Sequence, residues 1–348
     1  MTTDSVPLIS ADSHVLEPVG LWQERLPGAY RDRAPQFPPH KLGAGFQHHP
    51  GGHDPSARIA EMAVDGVSAE VLYPTLALSL FSLEDAALQR ACFRVYNDWL
   101  IEYCSMAPDR LVGVAALSVY DIDEAVLELE RCRKAGLRGA LVWQSPHDDL
   151  PFSGRHYDRL WSAAQALRMP ISLHILTGHG NSKALLGMVG SSDNIERYRR
   201  AVNLKLMEAA GALFDLMFYG ALDRHPSLQV VTVENEIGWM PFLFQQWEYY
   251  CRKFREVNPA PLRHSPVEYL KGQVYGTFFN DRMGARHLDE WGAESAMWSN
   301  DFPHPNSTWP NSRATIREHL GHLPAGKLAQ VVCRNAAKLY GIDATRFG

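Results

Sequence analysis

The 348-residue sequence lacks the features that would direct a protein to a membrane or to nucleic acid. It contains no apolar run of about 18 residues, so no transmembrane helix is expected. Its first residues, Met-Thr-Thr-Asp-Ser-Val-Pro, lack the basic and apolar regions of a secretory signal. The net charge of −5, without any basic block, argues against a nucleic-acid surface. These absences predict a cytoplasmic protein with no membrane or nucleic-acid partner.

Cysteine is also scarce. The five cysteines are an odd number and form no Cys-x-x-Cys pair, so we expect free thiols and no disulfide framework. No Gly-x-Ser-x-Gly motif is present, and a nucleophilic serine triad is therefore not expected. What remains is a composition of 46% hydrophobic and 21% charged residues, which is typical of a folded globular domain.

Short apolar runs alternate with helical patterns along the chain. Eight runs read as strands, at residues 7–10, 69–73, 111–117, 139–142, 169–173, 228–233, 274–279 and 295–299. Such alternation predicts a parallel sheet, and eight strands predict an α/β fold, a distorted (β/α)₈ TIM barrel that forms one domain over residues 1–348. The irregular stretch 27–57 is longer than an ordinary connection. We expect it to form a loop excursion over the active-site face.

Polar side chains follow four of these runs, at Asp12-Ser13-His14, His174, Glu234 and Asp301. The carboxyl ends of barrel strands converge on one face, where the active sites of such barrels form. Residues i and i+2 of a strand share a face, so Asp12 and His14 can bind one metal. Imidazole and carboxylate are ligands of Zn²⁺, Fe²⁺ and Mn²⁺. Each residue alone has an ordinary explanation, such as a turn or a core histidine, but the joint pattern predicts a metalloenzyme.

The sequence around these residues resembles the amidohydrolase superfamily, and most of all the amidohydrolase-related branch of aminocarboxymuconate-semialdehyde decarboxylase-like enzymes. The resemblance spans nearly the whole chain. It is carried by Asp12-Ser-His-Val-Leu-Glu-Pro18, the strand-ending His174, Glu234-Asn-Glu-Ile-Gly-Trp-Met-Pro241, Asp301-Phe-Pro-His304 and the segment 51–58. It implies a (β/α)₈ barrel with one divalent metal per chain, sometimes two.

Two positions depart from the pattern of many family members. Asp12 replaces the first histidine of a His-x-His pair, and Glu234 stands nearest to the histidine that ends the sixth strand. Both changes add anionic oxygen, which favours Mn²⁺ or Fe²⁺ over Zn²⁺. No lysine ends the fourth strand, so the carboxylated-lysine bridge of some two-metal members is not expected. The resemblance therefore predicts Asp12, His14, His174 and Asp301 as ligands, with Glu234 as a fifth ligand or a bridge.

Three residues are candidates for catalysis. Asp301 resembles the catalytic aspartate of the family, which binds the metal and moves a proton. His304 is predicted to polarise a substrate oxygen, the alternative being a structural loop histidine. Glu17 is predicted to face the substrate or support the ligands, the alternative being a charge at a helix N-terminus.

Three function classes remain open. The first is a metal-dependent hydrolase or C–C lyase, of the decarboxylase or hydratase type, acting on a small carboxylated substrate that is cyclic or aromatic. The second is a dinuclear non-haem iron oxygenase on the same scaffold. The third is a non-catalytic metal-binding barrel. The aromatic-rich late helix around residues 239–254, together with the resemblance, also predicts a homodimer or a larger homo-oligomer.

Overall fold

The computed structural model describes residues 6–37, 49–178 and 203–347. Within these residues the strands form one eight-stranded parallel sheet in chain order. They are β1 Leu8–His14, β2 Val67–Tyr73, β3 Leu111–Ala116, β4 Gly139–Val142, β5 Ile171–His174, β6 Val230–Val233, β7 Val274–Phe278 and β8 Ala296–Trp298. The predicted single-domain (β/α)₈ barrel is therefore confirmed.

Hydrogen bonds join the segment that follows β8 to β1. The backbone N–H of His14 donates to Phe302 O at 2.7 Å, and the N–H of Asp301 donates to Asp12 O at 3.0 Å. Asn300 N–H donates to Ser10 Oγ at 2.9 Å. The contacts that close the barrel thus hold together the two segments that carry Asp12, His14 and Asp301.

Helices cover the outside of the barrel between the strands. Their bounds are Leu21–Arg25, Gly28–Arg31, Pro55–Asp65, Ala86–Cys104, Ile122–Lys134, Asp158–Leu167, Ala209–Phe218, Ala221–Arg224, Met240–Phe254, Pro266–Gly272, Arg282–His287, Ser312–Leu320, Ala325–Ala329 and Asn335–Tyr340. Aspartates at four N-caps accept backbone N–H groups that would otherwise lack a partner, namely Asp54, Asp85, Asp121 and Asp281. No helix of the described residues is long and apolar enough to span a membrane.

The structure adds detail that the hydrophobic pattern did not predict. Four short helices had no predicted counterpart, because they span too few residues to show a helical period, namely Leu21–Arg25, Gly28–Arg31, Pro266–Gly272 and Arg282–His287. Helix Pro266–Gly272 has a capping box between Ser265 and Glu268, and this sequence pattern could have predicted where the helix begins. Of the predicted excursion 27–57, residues 38–48 lie outside the described part of the chain.

Candidate metal centre

The predicted ligands lie at the carboxyl ends of four strands. Asp12 and His14 belong to β1 itself, and His174 is the last residue of β5. Glu234 directly follows β6, whereas Asp301 comes three residues after the end of β8. Because β1, β5, β6 and β8 are parallel strands of one barrel, these side chains meet at the same face.

The side-chain atoms converge around the two histidines. His14 Nε2 lies 3.3 Å from His174 Nε2, 3.5 Å from Asp12 Oδ1 and 3.4 Å from Asp301 Oδ1. His174 Nε2 lies 3.8 Å from Asp12 Oδ1 and 3.8 Å from Glu234 Oε2. The side chain of Glu234 is 15% exposed, and the other four are at most 1% exposed. The structure therefore brings all five predicted ligands together.

Backbone carbonyls fix the orientation of both imidazoles. His14 Nδ1 lies 2.7 Å from Pro74 O, and His174 Nδ1 lies 2.7 Å from Ile175 O. A carbonyl can only accept, so each Nδ1 carries the proton and each neutral ring presents its Nε2 lone pair to the cluster. Burial, followed by repulsion from His304 and His174, lowers the pKa of His14 well below its usual value and favours this neutral form.

The donor set fits a divalent cation. Two nitrogen lone pairs and carboxylate oxygens face one another, an arrangement that repels itself unless positive charge lies between them. The separations of 3.3 to 3.8 Å are short enough for one ion to contact these atoms, because bonds of about 2.0–2.2 Å place neighbouring ligand atoms roughly 3 to 4 Å apart. Histidines that bind a metal usually donate their other ring N–H to a carbonyl, a carboxylate or water. Both Nδ1 atoms here make such a hydrogen bond to a backbone carbonyl.

The backbone is strained where two of the carboxylates enter the cluster. Glu234 has φ of 57° and Asp301 has φ of 55°, in the left-handed region that side chains other than glycine rarely adopt. Glu234 N–H donates to Thr277 Oγ1 at 2.9 Å, and Asp301 N–H donates to Asp12 O at 3.0 Å. Strained residues of this kind persist where the surroundings hold them, and they concentrate at functional sites.

His304 lies beside the cluster and contacts Asp301. Its Nδ1 is 3.0 Å from Asp301 Oδ1, and its ring stacks on the His14 ring with centroids 3.7 Å apart. Thr75 donates its hydroxyl proton to Val15 O at 2.7 Å, so its Oγ1 accepts from His304 Nε2 at 3.1 Å. Burial lowers the pKa of His304, but attraction and a hydrogen bond to Asp301, together with attraction to Glu234 and Glu17, outweigh this, and the net shift is upward. His304 is thus placed to share a proton with Asp301.

Glu17 is buried beside the loop that follows β2. Its carboxylate accepts backbone N–H groups from Thr75 at 3.2 Å, Leu76 at 2.9 Å and Ala77 at 3.0 Å. These bonds hold the segment that contributes Pro74 O to His14 and Thr75 Oγ1 to His304. Burial raises the pKa of Glu17, and the three N–H donors oppose that rise. A direct catalytic role for Glu17 stays a prediction.

A supporting residue was missed as a functional candidate, although it lies in the 51–58 motif. Arg58 is fully buried and pairs with Glu70 at 2.5 Å between Nε and Oε2. It donates to His14 O at 2.7 Å and to Phe302 O at 3.2 Å. Arg58 therefore contacts the backbone of one predicted ligand and the residue next to another. The signal was its place in the motif, but only the fold showed which carbonyls it reaches.

A parallel (β/α)₈ barrel with buried histidines and carboxylates at its carboxyl face defines the class of metal-dependent barrel enzymes. Residues 12–342 match the family model described as amidohydrolase. The gamma-resorcylate decarboxylase of Rhodococcus jostii is 30% identical over 275 residues, covering 71% of this chain and 75% of that protein. The chain therefore belongs to the amidohydrolase family and is a metal-dependent hydrolase or lyase.

Solved structures share the same fold. An amidohydrolase from Mycobacterium avium subsp. paratuberculosis superposes with a TM-score of 0.78 at 18% identity, covering 97% of this chain and 100% of that one. The 5-carboxyvanillate decarboxylase of Novosphingobium aromaticivorans, solved with manganese and 4-hydroxy-3-methoxy-5-nitrobenzoic acid, gives a TM-score of 0.73 at 18% identity. That match covers 98% of this chain and 99% of the decarboxylase.

Proposed function

We propose that this protein is a metal-dependent C–C lyase that decarboxylates a hydroxylated aromatic carboxylate. The observation that carries the proposal is the convergence of two Nε2 lone pairs with three carboxylates at the barrel face. The curated relative from Rhodococcus, which is a decarboxylase of this kind by name, supports lyase over hydrolase chemistry.

The proposed ligands are Asp12, His14, His174 and Asp301, with Glu234 as a fifth. A divalent ion held there supplies positive charge that binds substrate oxygens and stabilises the anion that forms during the reaction. The two carboxylates that replace histidines of many family members favour Mn²⁺ or Fe²⁺ over Zn²⁺, with one ion per chain.

Asp301 is proposed to deliver a proton to the ring carbon that bears the carboxylate. When the C–C bond breaks, its electron pair returns to the ring and CO₂ departs, so a proton replaces the carboxylate. His304 lies 3.0 Å from Asp301 and is placed to return the proton to it. Glu17 acts indirectly in this scheme, because its three backbone hydrogen bonds position Pro74 and Thr75.

The test is turnover of a panel of hydroxybenzoates under anaerobic conditions with Mn²⁺, Zn²⁺ or Fe²⁺, measured as CO₂ release. Decarboxylation without oxygen is the expected result. Product that forms only with oxygen and reduced iron would refute the lyase assignment and favour the two-iron oxygenase. Metal analysis gives an independent reading, since one ion per chain agrees with the proposal and two irons do not.

We also propose that residues 27–57 lie over the active-site face. The described part of this stretch supports the proposal. Leu16 N–H donates to Gly52 O at 2.6 Å, and the centroid of the His49 ring lies 5.0 Å from that of Phe302 and 4.8 Å from that of Trp309.

A cytoplasmic location and a homodimer remain part of the proposal. Exposed aromatic side chains on helix Met240–Phe254, among them Phe242, support a dimer.

A further inference from the structure

Two buried amide side chains form a hydrogen-bonded pair beside the proposed metal ligands. Gln144 lies two residues beyond β4, and Asn235 directly follows Glu234. Both residues are only 1% exposed. Asn235 Nδ2 donates to Gln144 Oε1 at 2.7 Å. It also lies 3.4 Å from the carbonyl of Leu173, the residue before His174. The pair therefore lies against the ends of the two strands that deliver His174 and Glu234.

The surrounding carbonyls settle which atom of each amide is nitrogen. Asn235 Nδ2 donates to Val233 O at 2.8 Å, and a carbonyl can only accept, so the atom facing it is the NH₂ group. That NH₂ group also faces Gln144, whose facing atom must then be the carbonyl oxygen. The backbone N–H of Gln144 donates to Thr177 O at 2.8 Å, which fixes the position of its backbone.

One donor and one acceptor are left over. Within the described residues, Gln144 Nε2 and Asn235 Oδ1 are buried and have no hydrogen-bond partner. Buried polar groups are nearly always paired, and an unpaired buried donor is costly. Both atoms belong to one amide pair at the barrel end where substrates bind. A bound substrate can supply the partners that the described residues do not.

We propose that Gln144 and Asn235 form a substrate subsite that recognises a hydroxyl group on the aromatic ring. A hydroxyl accepts a hydrogen bond from Gln144 Nε2 and donates one to Asn235 Oδ1. A carboxylate can only accept, and a methoxy group has no proton to donate. This inference rests on the proposed decarboxylase function and adds the residues that set its specificity.

The experiment compares ligand binding to Mn²⁺-loaded wild-type protein and variants by isothermal titration calorimetry. The probes are 2-hydroxybenzoate and 2-methoxybenzoate. Gln144→Met removes the amide at similar side-chain length, and Gln144→Glu keeps an oxygen for Asn235 while removing the donor. Gln89→Met is the matched control, because Gln89 is equally buried but lies on helix Ala86–Cys104. The Mn²⁺ affinity of each variant is measured in parallel.

We expect wild-type protein to bind the hydroxy probe about tenfold more tightly than the methoxy probe. The methoxy group cannot donate a hydrogen bond, so it leaves a buried acceptor of the protein unpaired. Both Gln144 variants should reduce that ratio below about threefold while Mn²⁺ affinity is kept, and Gln89→Met should retain the ratio. A ratio that survives in both Gln144 variants overturns the subsite and leaves the decarboxylase proposal standing. Failure of wild-type protein to bind either probe overturns the proposed substrate class, and the subsite with it.

Discussion

Substitution of Arg58 tests whether this buried side chain positions the proposed metal ligands. The guanidinium is buried against Glu70 and donates to the carbonyls of His14 and Phe302. Replacing it with methionine keeps the apolar stem but leaves the Glu70 carboxylate buried without its counter-charge. Breaking a buried ion pair from one side costs about 3–5 kcal/mol of unfolding free energy. We therefore expect a loss of this size for Arg58→Met in urea unfolding of the metal-free protein.

The double variant Arg58→Met/Glu70→Gln separates charge from positioning. Removing the orphaned charge should return much of the lost stability, because burial of a neutral amide costs less. The carbonyls of His14 and Phe302 still lose their donor, so the spacing of the ligand segments stays unsupported. Partners that orient metal ligands are worth about 10–100-fold in metal affinity. We expect Mn²⁺ affinity to fall by that factor in both the single and the double variant.

A control variant and a clear failure condition complete the test. Arg110 also donates to a strand carbonyl, Ser68 O at 2.8 Å, but this carbonyl lies at the amino end of the barrel. Arg110→Met should lower stability without changing Mn²⁺ affinity. The reasoning is wrong if Arg58→Met binds Mn²⁺ as tightly as wild-type protein, or if the double variant recovers metal affinity together with stability.

The remaining predictions concern catalysis, positioning, pH and assembly. Asp301→Asn should lower turnover by about 10²–10⁴-fold with an unchanged melting temperature, because asparagine tolerates the left-handed backbone there; full activity and metal content would contradict its role. Glu17→Gln should cost about 1–3 kcal/mol in urea unfolding, because an amide cannot accept all three backbone N–H groups; unchanged stability would count against that account. Burial raises the pKa of Glu70 and Arg58 opposes the rise, so Arg58→Met should raise that pKa further. Glu70 then binds its proton more tightly when folded, and the variant's stability should fall as the pH rises from 5 to 8, more than in wild-type protein. Light scattering at micromolar concentration should show a dimer, and loss of it in Phe242→Glu would place the interface on helix 240–254.

The sequence by itself determined the barrel and the residue types of the proposed metal site. Apolar runs such as Leu228–Val233 alternate with helical patterns, and that period follows from the side-chain geometry of strands and helices. Polar residues at the ends of the runs then had to share one face, because parallel strands end on the same side. The sequence alone therefore predicts that Asp12, His14, His174, Glu234 and Asp301 lie at one site.

Only the tertiary structure decided what surrounds those five proposed ligands. The hydrogen bond of His14 to Pro74 O and those of Arg58 to the carbonyls of His14 and Phe302 all join residues distant in sequence. The hydrogen bond between Asn235 and Gln144 likewise joins the ends of two different strands. Periodicity reports which face a side chain occupies on its own element. It carries no information on the distances between elements, which the packing of the closed barrel sets.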